Sequence, residues 1–416
     1  MLRYKSIAIC LSSFVLSFAL VVSRRADAIF NAQFWAEDGK IWYAEAHNYG
    51  IIQSLFDPHN GFLYVVARLT AAFSQLFPLS TAPLIFNSVA IFIQVLPAVF
   101  LVSSRLSSLL PSIKTRAILA FIYLALPGTA EINANITNSH WYLALLAFMV
   151  IISEPGRGFL WKGFDICIII LSCLSGPFAI LLSPITFVLW WIKRDKRRLS
   201  VFVLVGVCAI IQILGLVFFA GGRAETALGP SIDLFVSIVA GQIFLLPLVG
   251  GKGVDFLATS GGYLLIKYLF FCIGVLIVVY SLMKCPLELK LFVLFSCLIF
   301  FAALISPPEE DVNAWWVTLN VPSNGGRYWF FPNLAFVITL IWLFGQIWFG
   351  ERFVPKILAG LIVAVMAIGI YLNWRHPNYQ DFRFYEYAEY YEKIPRGSRL
   401  IIPINPDGWL VQLVKK

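Results

Sequence analysis

Apolar runs of helical length alternate along this chain with short segments that carry most of its charged side chains. A further run, 164–191, is too long for one helix, and Ser175-Gly176-Pro177 interrupts it. Because proline ends a helix, we expect two shorter helices there. The pattern predicts an all-α polytopic membrane protein with about eleven transmembrane helices. The other runs lie at residues 6–23, 83–103, 116–130, 141–153, 199–220, 261–282, 291–305, 329–349 and 357–373.

Lysine and arginine residues predict the orientation of these helices. The strongest basic cluster, 193–198, is expected on the cytoplasmic side, where positively charged loops accumulate. Counting spans in both directions places the other basic clusters on that side as well. The opposite, outer side then holds all four histidines and most acidic residues, so chemistry is predicted there. The segments assigned to it are 24–82, 131–140, 221–260, 306–328 and the tail from 374.

Two segments, 61–78 and 26–28, have more than one interpretation. Residues 61–78 are apolar enough to cross the membrane. A crossing there, however, would place basic clusters on the outer side and contradict the orientation scheme. We therefore interpret residues 61–78 as an interfacial or re-entrant helix with Arg68 on its polar side. Residues 26–28 resemble a signal-cleavage site, yet Arg24 and Arg25 separate them from the apolar run. An uncleaved first helix is expected.

The expected organisation is a transmembrane domain, 1–373, with 24–82 as its first outer loop. A small periplasmic segment, 374–416, follows on the outer face. Its aromatic and charged residues predict a short helix and then a strand. Multi-pass insertion in the inner (cytoplasmic) membrane follows, with the active site on the periplasmic face.

Composition supports a membrane protein and excludes other classes. The 416 residues are 60% hydrophobic and only 13% charged, and the mean hydropathy is +0.83. A soluble domain does not have this composition. The net charge of +9 comes from short clusters between apolar runs, which predicts membrane anchoring and no nucleic-acid partner. The seven cysteines form no CxxC pair and are interpreted as packing residues.

Two adjacent acids, Glu37 and Asp38, follow the first apolar run and are flanked by Trp35, Trp42 and Tyr43. A carboxylate at this position can act as a general base or hold a metal ion. The alternative is a solvated loop acid. The surrounding aromatic residues favour a packed and functional site, with Asp38 as the first catalytic candidate and Glu37 as the second.

A second polar turn lies between Glu131 and His140. Asn135 and its polar neighbours offer hydrogen-bonding groups suited to a sugar or a polar headgroup. Equally, such side chains can satisfy exposed backbone groups at a helix end. We consider Glu131, Asn135 and His140 a second acidic and polar site.

Arg327 and Tyr328 follow two glycines just before a late apolar run. Glycines allow close backbone approach and arginine offers a planar fork, a combination suited to a phosphate. The alternative is an interfacial anchor. Arg68 and Arg223 are weaker candidates for the same task.

The order of these parts resembles the GT-C superfamily of integral-membrane glycosyltransferases. Glu37-Asp38 stands in the first outer loop, and Gly61-Phe62-Leu63 leads to Arg68. An acidic turn at Glu131 comes two spans later. Gly176-Pro177 then breaks a hairpin, and an Arg-Tyr pair precedes a late span. The likeness is strongest over 30–190, and no large soluble C-terminal domain is expected.

The resemblance implies an inverting glycosyltransferase, of the kind that modifies bacterial O-antigen or related glycans. It would move one sugar from a polyprenyl-phosphate donor to a lipid-linked or surface glycan acceptor on the outer face. Asp38, or Glu37, would be the base, and Glu131 would correspond to a second acid. No cofactor is required by the pattern, although some members hold a divalent metal, here through Asp38 and Glu131.

Two alternatives stay open from the sequence. A transporter or flippase for a lipid-linked glycan would also be polytopic, but no internal repeat relates the two halves of this chain. An O-antigen polymerase would share the outer site and the lipid-linked substrate, and the 221–260 loop is modest for that class.

Overall fold

The computed structural model describes residues 2–221, 226–259, 263–307, 313–322, 324–348 and 353–416. The chain is 73% helical. Within the described residues, seven helices are long and apolar enough to cross a membrane, which defines a polytopic helical membrane protein. They are Leu79–Val102, Lys196–Phe219, Ile232–Thr259, Leu265–Lys284, Leu287–Ile305, Gly326–Ile347 and Pro355–Leu372.

Six of these seven helices coincide with predicted spans. Other predicted spans form helices of 13 to 16 residues between Ile113 and Lys193. A helix of 14 residues is only about 21 Å long, against roughly 30 Å of hydrocarbon in a bilayer. The count of eleven therefore stays a prediction.

The chain forms two compact units, and the first comprises 1–124, 132–221 and 376–416. The C-terminal tail makes its contacts within this unit. The sequence analysis instead divided the chain at residue 373 and treated the tail as a separate segment. A π-helix, Asp38–Tyr43, precedes α3. The α-helices of the unit before the tail are α1 (Leu2–Arg24), α2 (Asp27–Phe30), α3 (Ala44–Tyr49), α4 (Ile51–Phe56), α5 (Val65–Ser74), α6 (Ala82–Val102), α7 (Ile113–Ala125), α8 (Ser139–Ile152), α9 (Phe159–Cys173), α10 (Phe178–Lys193) and α11 (Lys196–Phe219).

The two ends of the first unit are held together by different sets of polar contacts. At one end, the Arg105 guanidinium binds both oxygens of Asp165 at 2.9 Å, and Arg197 donates to the Ser153 carbonyl. At the other end, the 24–82 loop contacts the 132–138 turn and the tail. The basic clusters and the predicted outer segments of this unit thus lie at opposite ends, as the orientation scheme requires.

Helix α5 is ten residues long, too short to cross a bilayer. Its first residue, Val65, donates to the Leu174 carbonyl, and Gln75 beyond its end contacts His47. These contacts agree with an interfacial helix. Arg68 is 1% exposed and pairs with Glu45, so the polar side of this helix faces protein groups and not solvent.

The end of α1 is built into the fold. The Arg25 guanidinium donates to the carbonyls of Asn133 and Pro377, and the Arg24 carbonyl accepts from the His376 amide. Ala28 is fully buried. These contacts join the end of α1 to the turn at Asn133 and to the tail.

The second unit comprises 125–131 and 222–375. Its α-helices are α12 (Ile232–Ile238), α13 (Leu246–Thr259), α14 (Tyr263–Lys284), α15 (Leu287–Ile305), α16 (Trp315–Asn320), α17 (Gly326–Trp348) and α18 (Phe353–Leu372), with a π-helix, Val239–Leu245, between α12 and α13.

The segment Ile232–Thr259 is a buried helix where the sequence predicted an outer loop. Asp233 at its start pairs with Lys267 in the second turn of α14. The backbone of Gly250, at φ +73°, lies against Asn373 just beyond α18. Contacts with α14 and α18 thus bury a segment that the sequence assigned to an outer loop.

The tail of the chain belongs to the first unit and consists of α19 (Phe384–Lys393), β1 (Arg399–Ile404) and β2 (Trp409–Val414). The two strands form an antiparallel hairpin that pairs Arg399 with Val414 and Ile404 with Trp409. Alternate side chains on one face are buried. The predicted helix and strand are present, and a second strand, which the sequence analysis missed, pairs with the first.

The orientation scheme predicts the accessibility of single cysteines on a cysteine-free background. Asp57→Cys and Asp407→Cys should react with a membrane-impermeant maleimide in intact cells, because both positions are exposed at the 24–82 end of the first unit. Lys196→Cys should react only after permeabilisation. Labelling of position 196 in intact cells would reverse the scheme.

Candidate functional site

Asp38 is fully enclosed by protein. It begins the π-helix Asp38–Tyr43 and is 0% exposed. Its Oδ1 accepts hydrogen bonds from the amide and the hydroxyl of Thr137, both at 2.7 Å, and its Oδ2 accepts from the Ile136 amide at 3.0 Å. The structure thus brings the first predicted acid together with the second predicted polar turn.

The direction of one of these hydrogen bonds is set by a neighbouring indole. Trp42 Nε1 donates to Thr137 Oγ1 at 3.2 Å. Because an indole nitrogen is only a donor, the Thr137 oxygen accepts there and its own proton points to Asp38. Trp42 therefore fixes the orientation of the hydroxyl that binds the carboxylate.

Burial controls the ionisation of Asp38. It raises the pKa of the carboxyl to about 7, even though the hydrogen bonds from Thr137 and Ile136 lower it. The nearby Glu37 adds a smaller upward shift to that pKa. A carboxylate offers about four acceptor positions, so three hydrogen bonds leave one position, on Oδ2.

The tail packs directly on the segment that carries Asp38. The Asn405 amide donates to the Phe34 carbonyl at 3.2 Å, and the Ala36 amide donates to the Asn405 carbonyl. Trp35 stacks on Tyr379, and a Cβ at Gly39 would meet Val411. Glu37 is half-buried beside these contacts.

Asn135 is buried inside its own turn. Its Oδ1 accepts from the backbone and side-chain nitrogens of Asn138, at 3.0 and 2.9 Å. These are turn-stabilising bonds, as the structural alternative predicted. His140 is 9% exposed and packs against Tyr64 and Phe178, with ring centres 5.5 and 5.6 Å away.

The Arg68 guanidinium binds groups of the protein itself and is not exposed to a phosphate. Its guanidinium pairs with the Glu45 carboxylate, donates to the Asp57 carbonyl at 2.9 Å and lies 4.9 Å from the Trp42 ring centre. With a side chain 1% exposed, Arg68 supports the ring that orients Thr137. This geometry does not favour its proposed role in phosphate binding.

In the second unit, Glu131 and Arg327 contact each other. The Glu131 carboxylate accepts from the Arg327 amide at 3.1 Å, near the start of α17, and lies 3.4 Å from the guanidinium. A carboxylate is favourable at a helix N-terminus. Tyr328 lies against the Arg327 guanidinium. Phosphate binding by Arg327 and Tyr328 stays a prediction.

The remaining predictions concern Arg223 and a metal ion. Arg223 lies outside the described residues. Among those described, no group of three or more His, Cys, Asp or Glu side chains could hold a metal. The hydrogen-bond donors around Asp38 suit an anion and do not fit a role as metal ligand.

Sequence reasoning missed several partners of these residues. Thr137 was noted only as part of a polar turn, and Glu45 was not considered. Gln94 and Gln212 are buried polar residues inside predicted spans, and both bind loop segments of the first unit. Such isolated amides in apolar helices were the available signal.

Neither a protein-family model nor a curated protein matches this chain. These searches neither support nor exclude the glycosyltransferase resemblance. What the fold defines is a mostly helical, multi-pass membrane protein.

The buried pair of Arg68 and Glu45 should be important for stability. Glu45→Leu leaves the Arg68 charge buried without its partner, which should cost about 3 kcal/mol. The matched control is Glu386→Leu, which removes an exposed pair with Arg383 and should cost less than about 1 kcal/mol. Denaturant unfolding of the purified variants measures both, and equal losses would contradict the assignment.

Proposed function

We propose that this protein is an inverting membrane glycosyltransferase of the GT-C type. It would move one sugar from a polyprenyl-phosphate donor to a lipid-linked or surface glycan. The observation that carries the proposal is the enclosure of Asp38, whose carboxylate is held by Thr137 and Ile136 at the loop end of the first unit.

Asp38 has the properties of a general base that works near neutral pH. A pKa of about 7 leaves a large ionised fraction at physiological pH and gives the conjugate acid moderate strength. The unused acceptor position on Oδ2 is where a hydroxyl group of the acceptor would bind.

The reaction follows from these roles. Asp38 takes the proton of the acceptor hydroxyl, whose oxygen forms a bond to the anomeric carbon of the donor sugar. The bond between that carbon and the phosphate oxygen breaks, and its electron pair leaves with polyprenyl phosphate. Attack opposite the leaving group inverts the anomeric configuration.

This mechanism requires access to Asp38. Tyr379 of the tail stacks on Trp35, whose carbonyl accepts from the Asp38 amide at 2.9 Å. Because Asp38 is fully buried in this conformation, the contacts between the tail and residues 34–39 have to open before an acceptor hydroxyl can reach the carboxylate.

The proposed location follows from charge. The end of the first unit that carries Asp38 lies opposite the basic cluster 193–198, which favours the cytoplasmic side. In a bacterial inner membrane, Asp38 would face the periplasm, where lipid-linked sugars serve as donors.

Removal of the base tests the proposal. Asp38→Asn keeps the size of the side chain but not its basicity, and turnover should fall about 10²–10⁴-fold. Asp57→Asn, an exposed acid in the same loop, is the matched control. Transfer is measured with polyprenyl-phosphate sugar on monodisperse protein. Near-normal turnover in Asp38→Asn would exclude the role, and transport without transfer would favour a flippase.

The pH dependence of turnover provides a second test that keeps the carboxylate. Turnover should rise as pH increases through about 7, because only ionised Asp38 accepts a proton. Thr137→Val removes a hydrogen bond that lowers this pKa, so the midpoint should move about one unit higher. An unchanged midpoint would mean that another group controls the profile.

A further inference from the structure

A large open cavity lies on the first unit, at the same end as Asp38 but without Asp38 in its lining. Its volume is about 1030 Å³. It is enclosed by α3 and α4, the turn after α5, and the tail. Tyr43, which lines it, is the last residue of the π-helix that begins at Asp38. None of the site residues assigned above lines this cavity.

The polar wall of the cavity is held in place by hydrogen bonds. His47 Nδ1 lies 3.2 Å from the Gln75 side chain, and its Nε2 lies 2.7 Å from the Tyr391 hydroxyl and 3.2 Å from the Val414 carbonyl. Asn48 pairs with β2 through both of its side-chain groups. The cavity is therefore preformed, which reduces the entropy cost of binding.

This wall is uncharged. Burial lowers the pKa of His47, so its ring is neutral at pH 7. A neutral imidazole, an amide and a phenol each donate and accept hydrogen bonds. Hydroxyl groups of a sugar need partners of this kind.

Aromatic rings complete the lining. Tyr49 is 64% exposed and Phe77 is 44% exposed at the cavity. Such rings present a flat apolar face, on which the C–H face of a sugar ring can pack. A cavity of this size, mostly apolar with a few placed polar groups, is typical of a ligand site.

The rim of the cavity has one apolar and one charged side. Ile52 of α4 and Phe77, just beyond the interfacial helix α5, are exposed on one side. Glu392 and Lys416 lie on the side of the tail. A bound molecule would therefore contact lipid on one side and water on the other.

We propose that this cavity binds the saccharide of a glycolipid whose lipid anchor stays in the bilayer beside α4 and α5. The mixed rim favours a lipid-anchored ligand. The neutral polar wall and its aromatic rings favour a sugar as the group that binds in the cavity. Identifying this glycolipid as the acceptor rests on the proposed function.

The experiment compares amphiphiles that share a tail and differ in headgroup. Full-length protein in phosphatidylcholine nanodiscs is titrated with decyl glucoside, decyl maltoside and decyl N-acetylglucosaminide, and with sugar-free decyl tetraethylene glycol. Binding is read by native mass spectrometry. At least one glycoside should bind about tenfold more tightly than the sugar-free probe.

Exposed aromatic residues provide the variants, because truncating them leaves the core intact. Tyr49→Ala should reduce the glycoside preference about fivefold. Tyr385→Ala is the matched control, since Tyr385 is 62% exposed on α19 and does not line the cavity. Gln75→Leu should also reduce the preference by removing a polar partner.

Equal binding of all headgroups would overturn the proposal, and so would equal effects of Tyr49→Ala and Tyr385→Ala. The outcome is separable from that of the proposed function. Asp38→Asn should keep the glycoside preference while losing transfer. A preference found in a protein without any transferase activity would leave this site in place and remove the catalytic proposal.

Discussion

The polar end of the first unit depends on one interaction, the binding of the Asp38 carboxylate by two consecutive residues of a distant turn. A buried carboxylate without hydrogen-bond partners would cost several kcal/mol. The donor groups of Ile136 and Thr137 are therefore needed beside Asp38. The contacts continue outward, because Trp42 orients Thr137 and Arg68 lies against Trp42. One buried charge thus fixes the relative position of two loops about a hundred residues apart.

The need for internal hydrogen-bond partners also applies to the backbone near the membrane. Irregular segments there need internal partners for their amides and carbonyls, since lipid offers none. Gln212 of α11 accepts from the Leu63 amide and donates to the carbonyls of Cys173 and Gly176. Gln94 of α6 binds Asn133 and Ala134 in the same manner. Two amides from apolar helices therefore satisfy the turns that surround the candidate site.

Local patterns predicted much of this fold. The apolar runs and basic clusters located most helices, and the two ends of the first unit agree with the predicted sides. The aromatic residues around Asp38 correctly indicated a packed environment. The partners of Asp38 and Arg68 could not be predicted, because they come from segments whose proximity only the tertiary fold decides. For the same reason Ile232–Thr259 was assigned to a loop: its burial depends on α14, α17 and α18.

The hydrogen bonds that anchor Asp38 also restrict where it can take up a proton. Donor groups already occupy both acceptor positions of Oδ1 and one position of Oδ2. A proton added on any of those sides would face another donor and would displace it. The open position on Oδ2 is thus the one at which the carboxyl can be protonated without breaking the turn. Anchoring and proton transfer are compatible on this geometry, because they use different lone pairs of the same carboxylate.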